Sequence, residues 1–408
     1  MAHLLFIIII CIVVVYFILE RFLDYLNFRM IDSPLPAELE GIYEPEKYQT
    51  ARKYEKESSR FAFVTSSLSF VLTIGMLFFN GFAFLDDFLR SITENSVLLA
   101  ILFFGILMFA ADLISTPFSI YDTFKIEQKY GFNTTTVKTF ILDKLKGWIL
   151  VAVIGGGLLS LVVWFYQQTT NMFWVYTWVV VSCFSIFMAM FYSTLIVPLF
   201  NKQTPLEEGE LRSAIQEFSN KVGFKLDNIF VIDGSKRSTK ANAYFSGLGP
   251  KKRIVLYDTL VKDLTTYEIV AVLAHEIGHY KKRHILTGML ISIIETGLTL
   301  FILSLFIRNP VLSQSLGAQH SFHICIIVFG ILFSPISTII SLGMNILSRR
   351  NEYQADYFTK IHFSSDELIN ALKHLSVKNL SNLNPHPLYV FFHFSHPTLL
   401  QRIRALTA

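Results

Sequence analysis

Charge is scarce in this sequence. Asp, Glu, Lys and Arg make up 16% of its 408 residues, while 52% are hydrophobic and the mean hydropathy is +0.48. So apolar a chain is excluded from the ordinary soluble class, and part of its solvent must be lipid. Cysteine is scarce too. Cys11, Cys183 and Cys325 lie far apart in apolar runs, which excludes a disulfide framework and a C-x-x-C metal or redox motif and leaves them as buried packing residues. A strong net charge is missing: the formal value of +4 gives no footing for a nucleic-acid partner. No internal repeat or low-complexity tract is present. A cleaved leader is not indicated either, because Met1-Ala2-His3 carries no Lys or Arg and no small-residue cleavage site follows Leu19-Glu20-Arg21.

Long hydrophobic runs are what the sequence has in abundance. A hydrocarbon layer about 30 Å thick requires roughly 20 mainly apolar helical residues. Seven segments qualify, at 4–27, 61–85, 97–118, 147–166, 173–200, 285–307 and 321–347. Lys and Arg set their direction. Six fall in 29–60 and five in 119–146, against one, none and one in 86–96, 167–172 and 308–320. The positive-inside rule then puts the N-terminus outside and the C-terminus in the cytoplasm, consistent with an odd number of spans. The expected organisation is five spans with their loops over 1–200, a cytoplasmic block at 201–284, two spans over 285–347 and a second cytoplasmic block at 348–408. Asp112 and Glu295 fall inside spans three and six, where a carboxylate is costly and must face protein or a watery cavity.

The polar blocks read as ordinary folded protein. Apolar residues recur at helical spacing over 211–222, short strands are expected at 228–232 and 253–256, and a helix at 265–282 opens on Thr265 and Thr266 with Glu268 as a start signal. That helix contains Ala274-His275-Glu276-Ile277-Gly278-His279-Tyr280. Histidines four apart share a helix face, so both imidazoles can reach one zinc ion, and Glu276 between them can act as a base without being a ligand. A catalytic zinc takes three protein ligands and keeps one position open. The best third donor is Glu352 in Arg349-Arg350-Asn351-Glu352-Tyr353-Gln354-Ala355-Asp356, where polarity resumes on the same side of the membrane. Asp356, one turn on, can orient a liganding imidazole. The bland alternative is a helix whose acids pair with Arg349 and Arg350. His284, His320, His323, His362, His374, His386 and His393 have no ligand spacing that improves on Glu352, and none is expected to bind the metal.

Taken together these motifs resemble the type I CaaX prenyl protease family, integral-membrane zinc endopeptidases that process prenylated C-termini. The resemblance extends through Pro117-Phe118-Ser119-Ile120-Tyr121 with Glu127, Gly131 and Phe132, and through Pro198-Leu199-Phe200-Asn201-Lys202 and the stretch from Pro205 to Leu211. It implies an α-helical integral membrane protein with seven transmembrane helices around a water-filled chamber, carrying a cytoplasmic-side α+β zinc-metalloprotease domain. It also implies that Asn242, Ala243, Tyr244 and Phe245 form the edge strand that pairs with substrate backbone, a mode with little side-chain specificity. A plain hairpin edge is the alternative. In Ser395-His396-Pro397-Thr398-Leu399-Leu400-Gln401-Arg402, the resemblance makes His396 and Arg402 candidates for binding the developing oxyanion or positioning the peptide.

The resulting expectation is one Zn²⁺ held by His275, His279 and Glu352, water attack with Glu276 moving the proton, and no acyl-enzyme. The expected partners are a peptide or protein with a prenylated C-terminus and membrane lipid. Two other readings use the same residues: a quality-control zinc protease of broader specificity, and a transporter or chamber protein with a vestigial site. The end Ala405-Leu406-Thr407-Ala408 lacks the dilysine-type signal common in eukaryotic relatives, which points to a prokaryotic plasma membrane rather than the endoplasmic reticulum.

Overall fold

The structure is a computed structural model and describes residues 1–169, 172–224, 229–247 and 253–408. Among them seven helices are long and apolar enough to cross a membrane: Ala2–Met30, Pro45–Phe78, Ser96–Glu127, Val137–Gln168, Phe173–Phe200, His284–Phe306 and Phe322–His362. The count matches the hydropathy reading, but the ends differ for physical reasons. The second span stops at Phe78 because Asn80 takes a left-handed conformation (φ 52°), and Gly81–Arg90 then forms a separate helix. The fourth begins ten residues before Gly147, since Lys138, Asp143, Lys144 and Lys146 suit a helix though not lipid. The fifth breaks at Ile196, just before Pro198. The seventh matters most, for it runs 41 residues and leaves the apolar stretch behind well before it ends.

One hydrophobic cluster lies among the spans, including Phe103, Val163, Phe173, Ile307 and Phe322. Cys325 is buried there, whereas Cys11 and Cys183 are exposed on their helices, so the packing role expected for cysteine holds for Cys325 only. Asp112 is resolved as a bond between helices: its carboxylate accepts from Lys144 Nζ at 2.8 Å and from Trp148 Nε1 at 3.0 Å. Glu295 is half-buried in the sixth span. Cavities of about 730 and 530 Å³ open between the spans, the larger lined in part by Arg21, Asp24, Ser66, Ser115 and Asp122. Such polar linings inside a bundle of spans fit a watery chamber.

The polar blocks fold as α+β. Strands β1 (Gln203–Pro205), β2 (Ile229–Ile232), β3 (Ala243–Ser246) and β4 (Arg253–Tyr257) form one sheet in the order β1-β2-β4-β3. β2 and β4 are parallel, while β1 and β3 are antiparallel to their neighbours and form the edges. Asn228, the expected first residue of β2, lies outside the described residues. A helix at Glu210–Lys221 and the motif helix Thr266–Lys281 pack with the sheet around Ile215, Phe218, Ile254, Leu256, Leu273 and Ile277. A further core joins Leu39 and Tyr43 from the first connection, Ala51 from the start of the second-span helix and Phe132 from the third connection to Leu368, Leu380, Ile403 and Leu406. Tyr43 donates its hydroxyl to Ser376 O at 2.6 Å in the same place. Loops of the first 200 residues therefore complete the core that the two later blocks share.

Candidate active site

The motif helix starts on a capping box in which Thr265 accepts from the Glu268 N–H and the Glu268 carboxylate accepts from the Thr265 N–H. Four turns later the helix approaches the seventh-span helix at Gly278. A Cβ there would stand 3.1 Å from Ala355 Cα and from Phe358 Cβ. This approach, tighter than a residue with a side chain would ordinarily make, sets Glu352 opposite His275 and His279. His275 and His279 come from one helix and Glu352 from another, and their ligand atoms gather within 4.8 Å of one another.

The spacing within that group is informative. His275 Nε2 lies 3.2 Å from His279 Nε2 and 3.3 Å from Glu352 Oε2, and His279 Nε2 lies 3.2 Å from Glu352 Oε1. Donors about 2.0–2.1 Å from a tetrahedral zinc stand roughly 3.3–3.4 Å apart, so these edges fit one face of such a site. Glu352 is also buried, and its Oε2 is met no closer than 3.3 Å by His275 Nε2 and 3.9 Å by Arg402 Nη1, a costly state for a carboxylate unless a cation completes it. The donor set of two imidazoles and one carboxylate thus suits a four-coordinate metal.

The back of each imidazole is occupied. His275 Nδ1 donates to Asp356 Oδ1 at 2.8 Å, and Arg402 grips the same carboxylate through Nε at 2.9 Å and Nη2 at 2.5 Å. Burial and the Arg402 charge oppose protonation of His275, but hydrogen bonding to Asp356 and Glu352 outweighs them and raises its pKa to about 9. A metal must displace a proton there. Behind His279 stands His284, with the two Nδ1 atoms 3.0 Å apart, and His284 Nε2 is 3.1 Å from Gln354 Oε1. Nothing in the sequence spacing marked His284 for this place. The signal available was its position five residues past His279, just beyond the end of the motif helix.

Glu276 is half-buried beside this group and makes no hydrogen bond or ion pair among the described residues. His396 approaches from the C-terminal side, with Nε2 3.4 Å from Glu352 Oε1, Nδ1 2.9 Å from Ser395 Oγ, and a side chain 64% exposed. Arg402, by contrast, is largely buried and directs its fork at Asp356 rather than into open space. The same pocket, about 430 Å³, is lined by Asn242, Ala243, Tyr244 and Phe245 along one wall and by Leu368, Leu372 and Leu375 along another. Tyr257 N donates to Asn242 O at 3.1 Å. By antiparallel alternation the N–H groups of Ala243 and Phe245 therefore point away from β4, toward the open edge. In the structure the Ala243 N–H donates to Asn242 Oδ1 at 2.8 Å.

The remaining histidines lie elsewhere. His323 is buried against Asp86 at 2.6 Å, His374 meets Glu268 at 2.7 Å, His393 meets Glu20 at 3.5 Å, and His386 caps the helix Pro387–His393. His320 approaches Cys325 and His362 packs on the Phe358 ring.

Known proteins resemble this chain over nearly its whole length. Residues 24–202 match the family described as CAAX prenyl protease N-terminal, five membrane helices, and residues 205–408 match peptidase family M48. A CAAX prenyl protease 1 homolog of Arabidopsis thaliana is 35% identical over 405 residues, covering 96% of this chain and 95% of that protein. CAAX prenyl protease 1 of Saccharomyces cerevisiae is also 35% identical, covering 96% and 92%. The crystal structure of Ste24p from S. mikatae superposes with a TM-score of 0.93 at 35% identity over 98% of both chains. The chain belongs to peptidase family M48, joined to the N-terminal membrane helices of the CAAX prenyl proteases, and is a membrane-embedded metalloendopeptidase.

Proposed function

We propose that this peptidase is a zinc enzyme that cleaves near the C-terminus of CAAX-type proteins carrying a prenyl group, with His275, His279 and Glu352 as its metal ligands. The observation that carries the reading is the convergence of those three side chains, from two helices, at separations of 3.2–3.3 Å. The substrate class follows the CAAX prenyl protease names of relatives that match almost end to end.

Bound zinc would supply Lewis acidity, polarising the scissile carbonyl and easing loss of a proton from water. The chain's own groups do the rest. Glu276 takes the proton of the attacking water as its oxygen bonds to the carbonyl carbon, then delivers that proton to the leaving amide nitrogen as the C–N bond breaks. His396, exposed and near Glu352, donates Nε2–H to the carbonyl oxygen as it gains negative charge, and Ser395 Oγ at Nδ1 supports that tautomer. Asp356 fixes His275 with Nδ1–H directed away from the metal, and Arg402 fixes Asp356. The free N–H and C=O groups of β3 bind the peptide as an added strand, with the Asn242 side chain releasing the Ala243 N–H to substrate.

Peptide is the substrate class common to this family; the prenyl group, the lipid contact and the sidedness are parts of the proposal. The Lys and Arg distribution supports catalytic blocks in the cytoplasm and an N-terminus outside. The test is cleavage of matched peptides with and without a prenyl thioether by purified protein, with zinc measured in the same preparation. One zinc per chain and preferential cleavage of the prenylated peptide are expected. Equal cleavage of both would remove the CAAX substrate, and a zinc-free active preparation would remove the metal.

A further inference from the structure

His284 is the first residue of the sixth-span helix, and it stands beside a metal-site histidine because of a turn that the sequence makes at some cost. The motif helix ends at Lys281, and Arg283 adopts φ 61° before the chain enters the span at His284. A left-handed conformation is uncommon for any residue other than glycine. It folds the chain back so that His284, 9% exposed, places Nδ1 3.0 Å from His279 Nδ1 and Nε2 3.1 Å from Gln354 Oε1. Gln354 belongs to the seventh-span helix, two residues beyond Glu352.

Proton counting fixes the direction of this chain. A carboxamide oxygen only accepts, so His284 Nε2 carries the hydrogen. A neutral imidazole has one N–H, which leaves His284 Nδ1 as an acceptor. Its partner, His279 Nδ1, must then donate. His279 Nε2 is left with a bare lone pair on the side where it meets His275 Nε2 and Glu352 at 3.2 Å. The reverse arrangement would put hydrogen on His279 Nε2 and close the site to a metal.

We infer that His284 is a positioning residue for the metal centre: with Gln354 behind it, it sets the tautomer and ring orientation of His279. The inference rests on the reading of His279 as a ligand. Its consequence is a bridge from the seventh-span helix through the start of the sixth to the motif helix, so the two ligand-bearing helices are tied by a further route besides the metal and the His275–Asp356 bond.

The experiment uses the full chain in detergent, loaded with zinc and titrated against a competing chelator, with the absorption bands of the cobalt-substituted protein as a spectroscopic readout. His284→Ala is expected to weaken zinc binding by about 10–100-fold and to alter the cobalt bands. His284→Asn, which offers an acceptor oxygen near the position of Nδ1, is expected to recover most of the affinity. Gln354→Leu is expected to weaken binding as well, and carries the test if His284→Ala fails to fold. Zinc affinity within twofold (~2×) of the parent in His284→Ala or Gln354→Leu would overturn the inference. So would an Asn variant no better than Ala, since only packing would then be at stake. A parent protein that binds no zinc would overturn the reading of the site itself, and this inference with it.

Discussion

At the scale of single residues, the site separates groups that hold from groups that act. Glu276 makes no hydrogen bond or ion pair among the described residues, while His275 Nε2, His279 Nε2 and the Glu352 carboxylate face one another. Glu276→Gln should therefore retain one zinc per chain and lose turnover by about 10²–10⁴-fold, the range typical of a lost proton-transfer group. Zinc analysis alongside the rate decides this, and a zinc-replete variant with near-normal turnover would move the base elsewhere. Glu352→Ala should lose both metal and activity. Asp356→Ala should weaken zinc binding less, by about 10–100-fold, because it acts through His275. Retention of stoichiometric, tightly held zinc by Glu352→Ala would show that the third ligand has been misassigned.

At the scale of elements, two local features bring the site together. The first is the close approach at Gly278, where the motif helix meets the backbone of Ala355. Gly278→Ala would improve helix propensity yet force the two helices apart by a few tenths of an ångström. Overpacking of that kind typically costs about 1–3 kcal/mol. The expected result is weaker zinc binding and reduced turnover despite a more helical sequence, measured by chelator competition. Unchanged zinc affinity would mean that the helix spacing does not set the ligand geometry. The second feature is β3, a four-residue edge whose outward N–H groups belong to Ala243 and Phe245. Ala243→Pro removes one of those donors without touching the β4 ladder or the metal ligands. It should impair cleavage severely with zinc content unchanged, whereas truncating Tyr244 or Phe245 should cost less. Full activity in Ala243→Pro would exclude strand addition at this edge.

At the scale of the whole molecule, the metal ligands lie on either side of the sixth span in sequence, so metal and fold should be linked. Zinc binding only the folded state stabilises by RT ln(1 + [Zn]/Kd), about 2.7 kcal/mol at 100 times Kd. Chelation should lower the melting temperature of the parent protein and leave that of Glu352→Ala unmoved, as read by thermal unfolding in detergent. Sidedness is open to a separate test. Glu217, on the helix Glu210–Lys221, is exposed and unpaired among the described residues. A cysteine there should react with an impermeant reagent only from the cytoplasmic face, with the exposed native Cys11 and Cys183 replaced beforehand. Labelling from outside would invert the protein in its membrane.

The sequence by itself determined the number of spans, because lipid demands long apolar helices and seven such runs are plain to see. It also determined the His275-Glu276-x-x-His279 pair, since a helix puts residues four apart on one face whatever surrounds it. The ends of the spans were less legible, because hydropathy reports where lipid stops rather than where hydrogen bonding stops. The seventh helix continues through Glu352 and Asp356 to His362 for that reason. Three features were decided only in three dimensions. The Arg402 fork turns onto Asp356, a partner 46 residues away in sequence. Loops from the first and third connections complete the core behind the site. His284 reaches His279 through a left-handed Arg283 that no propensity favours. Each of these depends on side chains distant in sequence, or on a backbone angle held by its surroundings, and neither has a periodicity to read.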